Sequence, residues 1–393
     1  MSASPQTLPS PSAEERAHSE ALIGHIRDEL DRAGGWISFE RYMELALYAP
    51  GLGYYSAGAR KLGPAGDFVT APESSALFSR CVANQCAEIL KVLGTADLLE
   101  LGAGSGVMAQ DLLLELEAQG QLPEHYFILE VSADLRDRQR ATFQERAPHL
   151  LERVRWLDEL PVEFTGVILA NEVLDALPVQ RFRIRGDQVH ALGVAWELGQ
   201  FESSEIQAPA ELEHAVRALE TSLDERLPNG YVSEINLRMT PFIAGIAAAL
   251  KRGVILFVDY GLPRAQYYRS ERNQGTLLCH YRHRFHDDPF INVGLQDIGA
   301  WVDFTHVAEA AVAAGLGVAG FTTQAHFLIG NGIERFLMPR DDDNLVPQVQ
   351  LARQAMLLTL PGEMGERFKV IGLTRNYDVP LAGFGIRDLA ASL

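Results

Sequence analysis

The sequence feature that most constrains the fold is the stretch from Leu98 to Gly106, which reads Leu-Leu-Glu-Leu-Gly-Ala-Gly-Ser-Gly. Its apolar beginning predicts a buried strand, and the helical spacing of apolar residues from Val107 to Leu113 predicts a helix directly after the glycines. Glycines permit a sharp turn and let a ligand approach the backbone where a Cβ atom would collide. The unpaired N–H groups at the start of the helix would face that ligand. A strand, a tight turn and a helix in this order therefore predict a nucleotide-like binding site.

The spacing of the glycines narrows the choice of ligand. Dinucleotide-binding folds use G-x-G-x-x-G, whereas Gly102, Gly104 and Gly106 form G-x-G-x-G after the acid Glu100. This arrangement resembles that of class I S-adenosylmethionine methyltransferases, in which the methionine portion and the ribose of the cofactor lie across the turn. The four residues are therefore candidate cofactor-binding residues, and the spacing disfavours a hydride-transfer oxidoreductase.

Composition and charge exclude several classes of protein. A chain of 393 residues with 47% apolar residues can bury a substantial core, in one large domain or in two. Its formal net charge of -18 argues against sequence-independent nucleic-acid binding, which needs a basic surface, but allows a basic protein segment as partner. The three cysteines have no C-x-x-C spacing, so we expect neither a disulfide framework nor a zinc ribbon, and no bound metal.

The sequence favours neither a membrane span nor a targeting segment. The longest apolar tract, 242–258, is interrupted by Lys251 and Arg252, which argues against a span. The first dozen residues lack the basic start and apolar run of a signal peptide, and Glu14 and Glu15 are wrong for a transit sequence. We therefore expect a cytoplasmic enzyme.

Taken in order, the chain predicts an α/β protein built on a seven-stranded, Rossmann-like sheet, with a helical N-terminal extension and two insertions that form a substrate-side subdomain. We expect a disordered tail over 1–12, a helical region covering the cofactor site over 13–93, the first half of the core over 94–179, an insertion of a hairpin and a helix over 180–232, core again over 233–261, a second insertion or lid over 262–303, and the last core strands and helices over 304–393. The predicted strands lie near 98–101, 126–130, 154–157, 166–170, 254–261, 318–321 and 368–374.

Local signals predict several of the other elements. Apolar spacing predicts a helix from Ala13 to Arg32, and Ser38 is placed to cap a second helix. The alternation on both sides of Gly186 and Asp187 predicts a hairpin. Further helices are expected over 211–227, 240–250 and 304–314.

Acids follow two predicted strands. Glu130 comes at the end of the strand after the glycine turn, and a carboxylate there can accept hydrogen bonds from both ribose hydroxyls. Asp158 follows the next strand and could accept from the amino group of adenine. The alternative is that Glu130 is a surface acid with no ligand.

A third polar group follows the strand that ends near Ala170. Asn171, Glu172 and Asp175 lie where a catalytic edge is expected, because ligands bind at the carboxyl ends of parallel strands. Asp259 ends a later strand and belongs to the same candidate group. For Asp175, closing a turn before Pro178 is the competing interpretation.

A glycine-rich stretch precedes the core. Thr70 and Glu73 have the spacing of a capping box for a long helix through Leu93. The same helix start, together with Gly66 and Asp67, could receive the carboxylate of the cofactor. Asp67 could instead close a turn.

The segment from Cys279 to Pro289 contains three histidines with nearby acids. Its interleaved arginines would repel a cation, so the pattern disfavours a metal site and favours a lid with an arginine cluster or a solvated loop.

Several stretches together resemble the MidA family, which includes bacterial proteins and a mitochondrial complex I assembly factor that methylates an arginine. The matching stretches are 42–43 with 53–55, Gly66 to Phe68 with Thr70 to Glu73, Glu100 to Gly106, Asn171 to Pro178, Val258 to Gly261, Tyr281 to His283 with Asp288 and Pro289, and Asp297 with Val302 to Phe304. The match runs in order from about Gly34 to Arg375. The chain departs from the family at Ala103 and Ser105, where Pro and Arg are usual, and at Ser74 and Ser79, where Ile and Gly are usual.

The resemblance implies a methyltransferase that uses S-adenosylmethionine to methylate a protein arginine, with a respiratory complex I-type subunit as the expected partner. A guanidinium is protonated at all ordinary pH, and carboxylates can bind its outer nitrogens and stabilise a cationic transition state. We expect Glu172 to act as the first acid, Asp175 or Asp259 as the second, and Asn171 to orient the substrate or the cofactor. Alternatives are methylation of a small molecule or another residue, and a cofactor-binding assembly chaperone with little turnover. A homodimer is compatible with the sequence.

Overall fold

The computed structural model describes residues 8–57, 70–338 and 345–393. The helices are α1 (Ala13–Arg32), α2 (Phe39–Tyr48), α3 (Ala71–Ser74), α4 (Ala76–Leu93), α5 (Val107–Ala118), α6 (Ala133–Arg146), α7 (Ala210–Leu223), α8 (Met239–Ala249), α9 (Arg264–Tyr267), α10 (Phe304–Ala313), α11 (Gln324–Gly330), α12 (Leu345–Thr359) and α13 (Met364–Arg367). The strands are β1 (Ile37–Ser38), β2 (Asp97–Leu101), β3 (Tyr126–Leu129), β4 (Val154–Leu157), β5 (Phe164–Asn171), β6 (Gln180–Arg185), β7 (Gln188–Glu197), β8 (Gln200–Gln207), β9 (Val232–Ile235), β10 (Leu250–Leu262), β11 (Leu278–Tyr281), β12 (Arg284–His286), β13 (Asp297–Gly299), β14 (Val302–Asp303), β15 (Gly317–Thr323) and β16 (Phe368–Arg375).

The chain divides into two units that interleave along the sequence. The first unit takes its described residues from 1–68, 175–239 and 264–301, and the second from 69–174, 240–263 and 302–393. The predicted insertion 180–232 lies wholly in the first unit, and so do residues 264–301 of the second predicted insertion.

The second unit is organised around a mixed sheet in the order β15-β16-β10-β5-β2-β3-β4. The strands from β10 to β4 are parallel to one another, whereas β16 is antiparallel to both β10 and β15. Burial on both faces explains why strands such as β5 read as almost continuous apolar runs. The seven predicted strands form this path, and β14 pairs with β10 as an eighth, so the prediction of seven strands was one too few.

The first unit holds two smaller sheets. One has the order β1-β7-β6-β9 with β8 added beside β7, and the other has the order β12-β11-β13. The predicted hairpin is confirmed, since β6 and β7 are antiparallel and join at Gly186, whose φ is +58°. The sequence did not reveal β8, which extends this hairpin to a third strand.

Helix α1 begins and ends where the sequence predicts. Ser12 accepts a hydrogen bond from the N–H of Glu15, and the Glu15 carboxylate accepts in return from the N–H of Ser12, which completes a capping box. The apolar side chains of Leu22, Ile26 and Leu30 are buried along one face. The Ser38 side chain caps α2 by accepting from the N–H of Arg41, as predicted.

Two predicted helices differ in the structure. The helix expected to run from Thr70 to Leu93 is interrupted at Ser75, whose hydroxyl caps α4 by accepting from the N–H of Leu77. Thr70 makes no side-chain cap, so the predicted capping box with Glu73 is wrong. The helix expected over 211–227 ends at Leu223, because Asp224 adopts the left-handed region.

Within the described residues, none of the helices combines the length and the apolar character that a membrane crossing requires.

Candidate functional site

The glycine turn joins β2 to α5 in the second unit. Gly102, Gly104 and Gly106 have φ values of +64°, +54° and +82°, the left-handed region that side chains other than glycine rarely adopt. A Cβ atom at Gly106 would lie 3.1 Å from the Cα atom of Gln139, tighter than ordinary packing. All three positions therefore need glycine for their backbone conformation. At Gly106 a side chain would also be too close to Gln139.

Gln139 connects the turn to the neighbouring strands. Its side chain is fully buried, and its Nε2 donates to the carbonyl of Gly104 (3.0 Å) and to the carboxylate of Glu130 (3.3 Å). Its Oε1 accepts from the indole N–H of Trp156 (2.7 Å). Gln139 is not among the site residues predicted from the sequence. The signal is an amide at a core position, because Leu135, Gln139 and Phe143 recur at four-residue spacing on α6 and all three are buried.

Glu100 lies on β2 directly before the turn and is 3% exposed. Its carboxylate accepts a hydrogen bond from the hydroxyl of Tyr126 (2.6 Å). Burial raises the pKa of Glu100 to about 7. Its protonation therefore changes close to neutral pH. A role in cofactor binding stays a prediction.

Glu130 and Asp158 follow the ends of β3 and β4. Glu130 is buried, accepts from the N–H of Ser132 (3.0 Å), and has a pKa that burial raises. The side chain of Asp158 is 90% exposed and forms an ion pair with Arg136 (2.8 Å). Arg136 also donates to the carbonyls of Glu130 and Leu157 and so ties the two strand ends together. The ribose role of Glu130 and the adenine role of Asp158 stay predictions.

Asn171, the last residue of β5, and Glu172 form the predicted catalytic edge at the carboxyl end of this strand. Glu172 has a φ of +54°, which is uncommon for a residue other than glycine, and its N–H donates to the carbonyl of Val258 (2.9 Å). The Nδ2 of Asn171 donates to the Glu172 carboxylate (3.2 Å). Within the described part of the chain, the buried Oδ1 of Asn171 has no hydrogen-bond partner. An unsatisfied buried acceptor is costly unless a ligand supplies the donor.

Asp259 holds the backbone that follows Glu172. It is 1% exposed, and its Oδ2 accepts from the N–H groups of Val173 (3.1 Å) and Leu174 (2.8 Å). Its Oδ1 accepts from the N–H of Tyr260 (2.8 Å). Asp259 thus holds the backbone of residues 173 and 174 in place. Its predicted role as a second acid stays a prediction.

The edge and the glycine turn lie close together in the second unit. Leu101 of β2 pairs with Ala170 of β5, which precedes Asn171. A Cβ atom at Gly102 would lie 3.3 Å from the Cγ2 atom of Val173. The structure therefore brings the glycine turn close to the edge at Asn171 and Glu172. Gln139 also links the turn to Glu130 by hydrogen bonds.

The remaining predicted site residues are Asp175, Thr70, Gly66 and Asp67. Asp175 belongs to the first unit, where its carbonyl accepts from the N–H of Ala300 (3.1 Å). Thr70 precedes α3, a helix of four residues, and is half-buried. The predictions for Gly66 and Asp67 fall outside the described residues.

The histidine- and arginine-rich segment forms a hairpin of the first unit. β11 and β12 are antiparallel, and the turn between them places Arg282 and His283 in the left-handed region, with φ values of +49° and +59°. The guanidinium of Arg282 donates to both carboxylate oxygens of Glu15 (2.8 Å each). The segment is thus an ordered hairpin and not the solvated loop that was one of the two expectations. Its role as a lid stays a prediction.

Known proteins resemble this chain over most of its length. The model of a family of S-adenosyl-L-methionine-dependent methyltransferases matches residues 81–322. A Drosophila melanogaster relative named "Protein arginine methyltransferase NDUFAF7 homolog, mitochondrial" is 27% identical over 94% of this chain and 88% of its own length. A Danio rerio relative named "Protein arginine methyltransferase NDUFAF7, mitochondrial" is 26% identical over 89% of this chain and 86% of its own length.

Solved structures extend the comparison. A Burkholderia thailandensis protein bound to S-adenosyl-homocysteine is 42% identical, with a TM-score of 0.94 over 98% of this chain and 100% of its own. A second structure from Burkholderia thailandensis, a native crystal form, is 42% identical with a TM-score of 0.91 over the same shares of the two chains.

The relatives correct one expectation. The two named above are mitochondrial by name, which contradicts the predicted cytoplasmic location. That prediction depended on local composition, namely the interrupted apolar tract 242–258 and the acids Glu14 and Glu15, and neither feature identifies a compartment.

Proposed function

We propose that this chain, which belongs to the family of S-adenosyl-L-methionine-dependent methyltransferases, methylates an arginine side chain of a protein. The predicted cofactor, enzyme class and fold class are confirmed by the family match and by the 42% identical structure bound to S-adenosyl-homocysteine. The observation that carries the proposal is the contact between the glycine turn and the edge after β5, where Glu172 is held in an unusual backbone conformation. The names of the relatives support arginine as the acceptor.

The residues at the turn fit the cofactor. Gly102 and Gly104 have no side chain, so a ligand can approach their backbone closely. Glu130 offers a carboxylate suited to ribose hydroxyls, and Asn171 offers an acceptor oxygen that has no partner among the described residues. When bound, S-adenosylmethionine supplies a methyl group on a positively charged sulfur. We propose that Gly102, Gly104, Gly106, Glu100 and Glu130 bind it.

Glu172 would bind and orient the guanidinium. Its carboxylate can accept hydrogen bonds from the outer nitrogens, while Asn171 fixes one carboxylate oxygen. A guanidinium gives up one N–H proton when its nitrogen is methylated, and we assign that proton to the Glu172 carboxylate. The in-line geometry that methyl transfer needs depends on a rigid edge, and Asp259 supplies that rigidity through the N–H groups of Val173 and Leu174. We propose Asp175 or Asp259 as the second acid, the two candidates that the sequence offers.

The acceptor protein, the cellular role, the oligomeric state and the role of the insertions belong to the same proposal. The MidA resemblance supports a respiratory complex I-type subunit as acceptor and a role in complex I assembly, and a homodimer is the oligomeric state we propose to test. The two predicted insertions, 180–232 and 262–303, are proposed to contact the protein substrate.

The test is a transfer assay with methyl-labelled S-adenosylmethionine and a lysate of cells that lack the protein. We expect label in one discrete protein band and methylarginine after acid hydrolysis of that band. Label confined to small molecules, or released as another methylated residue, would contradict arginine as the acceptor. Cofactor binding without any transfer would support the assembly-chaperone alternative.

A further inference from the structure

Glu73 contacts the glycine turn from outside the predicted motif. The Glu73 carboxylate accepts a hydrogen bond from the hydroxyl of Ser105, which lies between Gly104 and Gly106. The same hydroxyl accepts from the N–H of Val107, the first residue of α5 (3.4 Å). The Glu73 carboxylate is therefore fixed beside the turn, at the end of α5 where the helix dipole favours negative charge.

The charge of Glu73 decides which part of the cofactor can approach. In the described ranges of the chain, Glu73 forms no ion pair with a basic side chain. A second acid, Asp111 on α5, is buried nearby. Burial raises its pKa, the charges of Arg146 and Arg80 lower it, and the charge of Glu73 raises it. A carboxylate of the ligand would be repelled here, whereas an ammonium would be attracted.

This charge argues against the predicted place of the cofactor carboxylate. The carboxylate is predicted to lie at the helix start near Thr70, but α3 has only four residues and carries Glu73 in its first turn. A negative side chain at this place favours the ammonium group of the amino-acid portion over its carboxylate group.

We infer that the Glu73 carboxylate binds the α-ammonium group of the methionine portion of S-adenosylmethionine, while the hydroxyl of Ser105 holds the carboxylate in place. An ammonium offers three N–H donors, and its hydrogen bond to a carboxylate is assisted by both charges. The inference rests on the proposed placement of the cofactor at the glycine turn.

The test compares two ligands that differ in the amino-acid portion. S-Adenosyl-homocysteine carries the ammonium, and 5′-deoxy-5′-methylthioadenosine has the same adenosine and sulfur without it. Calorimetry measures the Kd of both ligands for the wild-type chain and for Glu73→Gln, in which an amide oxygen can still accept from Ser105 but the charge is gone. We expect the Kd for S-adenosyl-homocysteine to rise about 10- to 100-fold, since hydrogen bonds to charged groups contribute this much. The Kd for 5′-deoxy-5′-methylthioadenosine should change by less than about twofold.

Control variants separate the inference from its premise. Glu117→Gln removes one charge from the exposed end of α5, and we expect both Kd values to stay at those of the wild type. Gly106→Val should weaken both ligands; unchanged binding there would refute the placement of the cofactor. The role of Glu73 alone would be overturned if Gly106→Val weakens both ligands but Glu73→Gln leaves both Kd values unchanged. An equal rise of the two Kd values in Glu73→Gln would overturn it as well.

Discussion

Asp259→Asn tests whether the hydrogen bonds that Asp259 accepts from the backbone fix the residues that follow Glu172. In the wild type, Asp259 Oδ2 accepts from the N–H groups of Val173 and Leu174, and Oδ1 accepts from that of Tyr260. Asparagine has one acceptor oxygen and one NH₂ group. If its oxygen faces Tyr260, the NH₂ group faces two N–H donors and both bonds to the edge are lost.

The expected cost follows from these contacts. A hydrogen bond to a charged group contributes about 1.5–3 kcal/mol, so the loss of two such bonds lowers the free energy of unfolding by about 3–6 kcal/mol before relaxation, and we expect about 3 kcal/mol after it. The Glu172 edge would also lose its fixed geometry, so methyl transfer should fall by at least about 100-fold. Binding of S-adenosyl-homocysteine should change little, because the Asp259 carboxylate accepts from backbone N–H groups of residues 173, 174 and 260.

Urea unfolding gives the free energy, and calorimetry gives the Kd for S-adenosyl-homocysteine. Asp158→Asn is the matched control: its side chain is 90% exposed in a surface ion pair, so stability should change by less than about 1 kcal/mol. Wild-type stability and transfer in Asp259→Asn would refute the argument that this carboxylate organises the edge.

Two further predictions concern the strand and the turn. Because burial raises the pKa of Glu100 from 4.5 to about 7, the folded state holds a proton that the unfolded state has released, so the free energy of unfolding should fall as pH rises from about 4.5 to 7. Glu100→Gln should reduce this fall by up to about 3 kcal/mol in urea unfolding at pH 5 and pH 8, and an unchanged pH dependence would contradict the buried-acid assignment. Gly106→Ala forces a side chain into φ +82° and 3.1 Å from Gln139, so it should cost about 1–3 kcal/mol and weaken S-adenosyl-homocysteine binding. Wild-type stability in Gly106→Ala would show that the turn tolerates a Cβ atom.

Local patterns in the sequence predicted the elements whose causes are local. The prediction of α1 required only the spacing of its apolar residues, which places Leu22, Ile26 and Leu30 on the buried face. The β6–β7 hairpin needed only its alternation and the glycine between the strands. In both cases the residues that decide the structure are neighbours in the chain.

Contacts between distant residues could not be read in this way. Thr70 and Glu73 have the spacing of a capping box, but the Glu73 carboxylate instead accepts from Ser105, 32 residues away. Asp259 ends a strand and is predicted as a candidate second acid, but the hydrogen bonds that its carboxylate accepts from N–H groups 85 and 86 residues away could not be predicted. Tertiary partners of this kind outweigh local propensity, and a single sequence does not contain their positions.

The most direct test of the proposed function compares wild-type chain with Glu172→Gln in the labelled lysate, with the Kd for S-adenosyl-homocysteine measured on the same preparations. We expect methylarginine in one protein band with the wild type, and at least about 100-fold less methylarginine with Glu172→Gln. The Kd of Glu172→Gln for S-adenosyl-homocysteine should lie within about twofold of the wild-type value. Wild-type levels of methylarginine with Glu172→Gln would contradict the assignment of the acceptor's proton to Glu172. Transfer to an acceptor other than arginine by the wild type would contradict the proposed function itself.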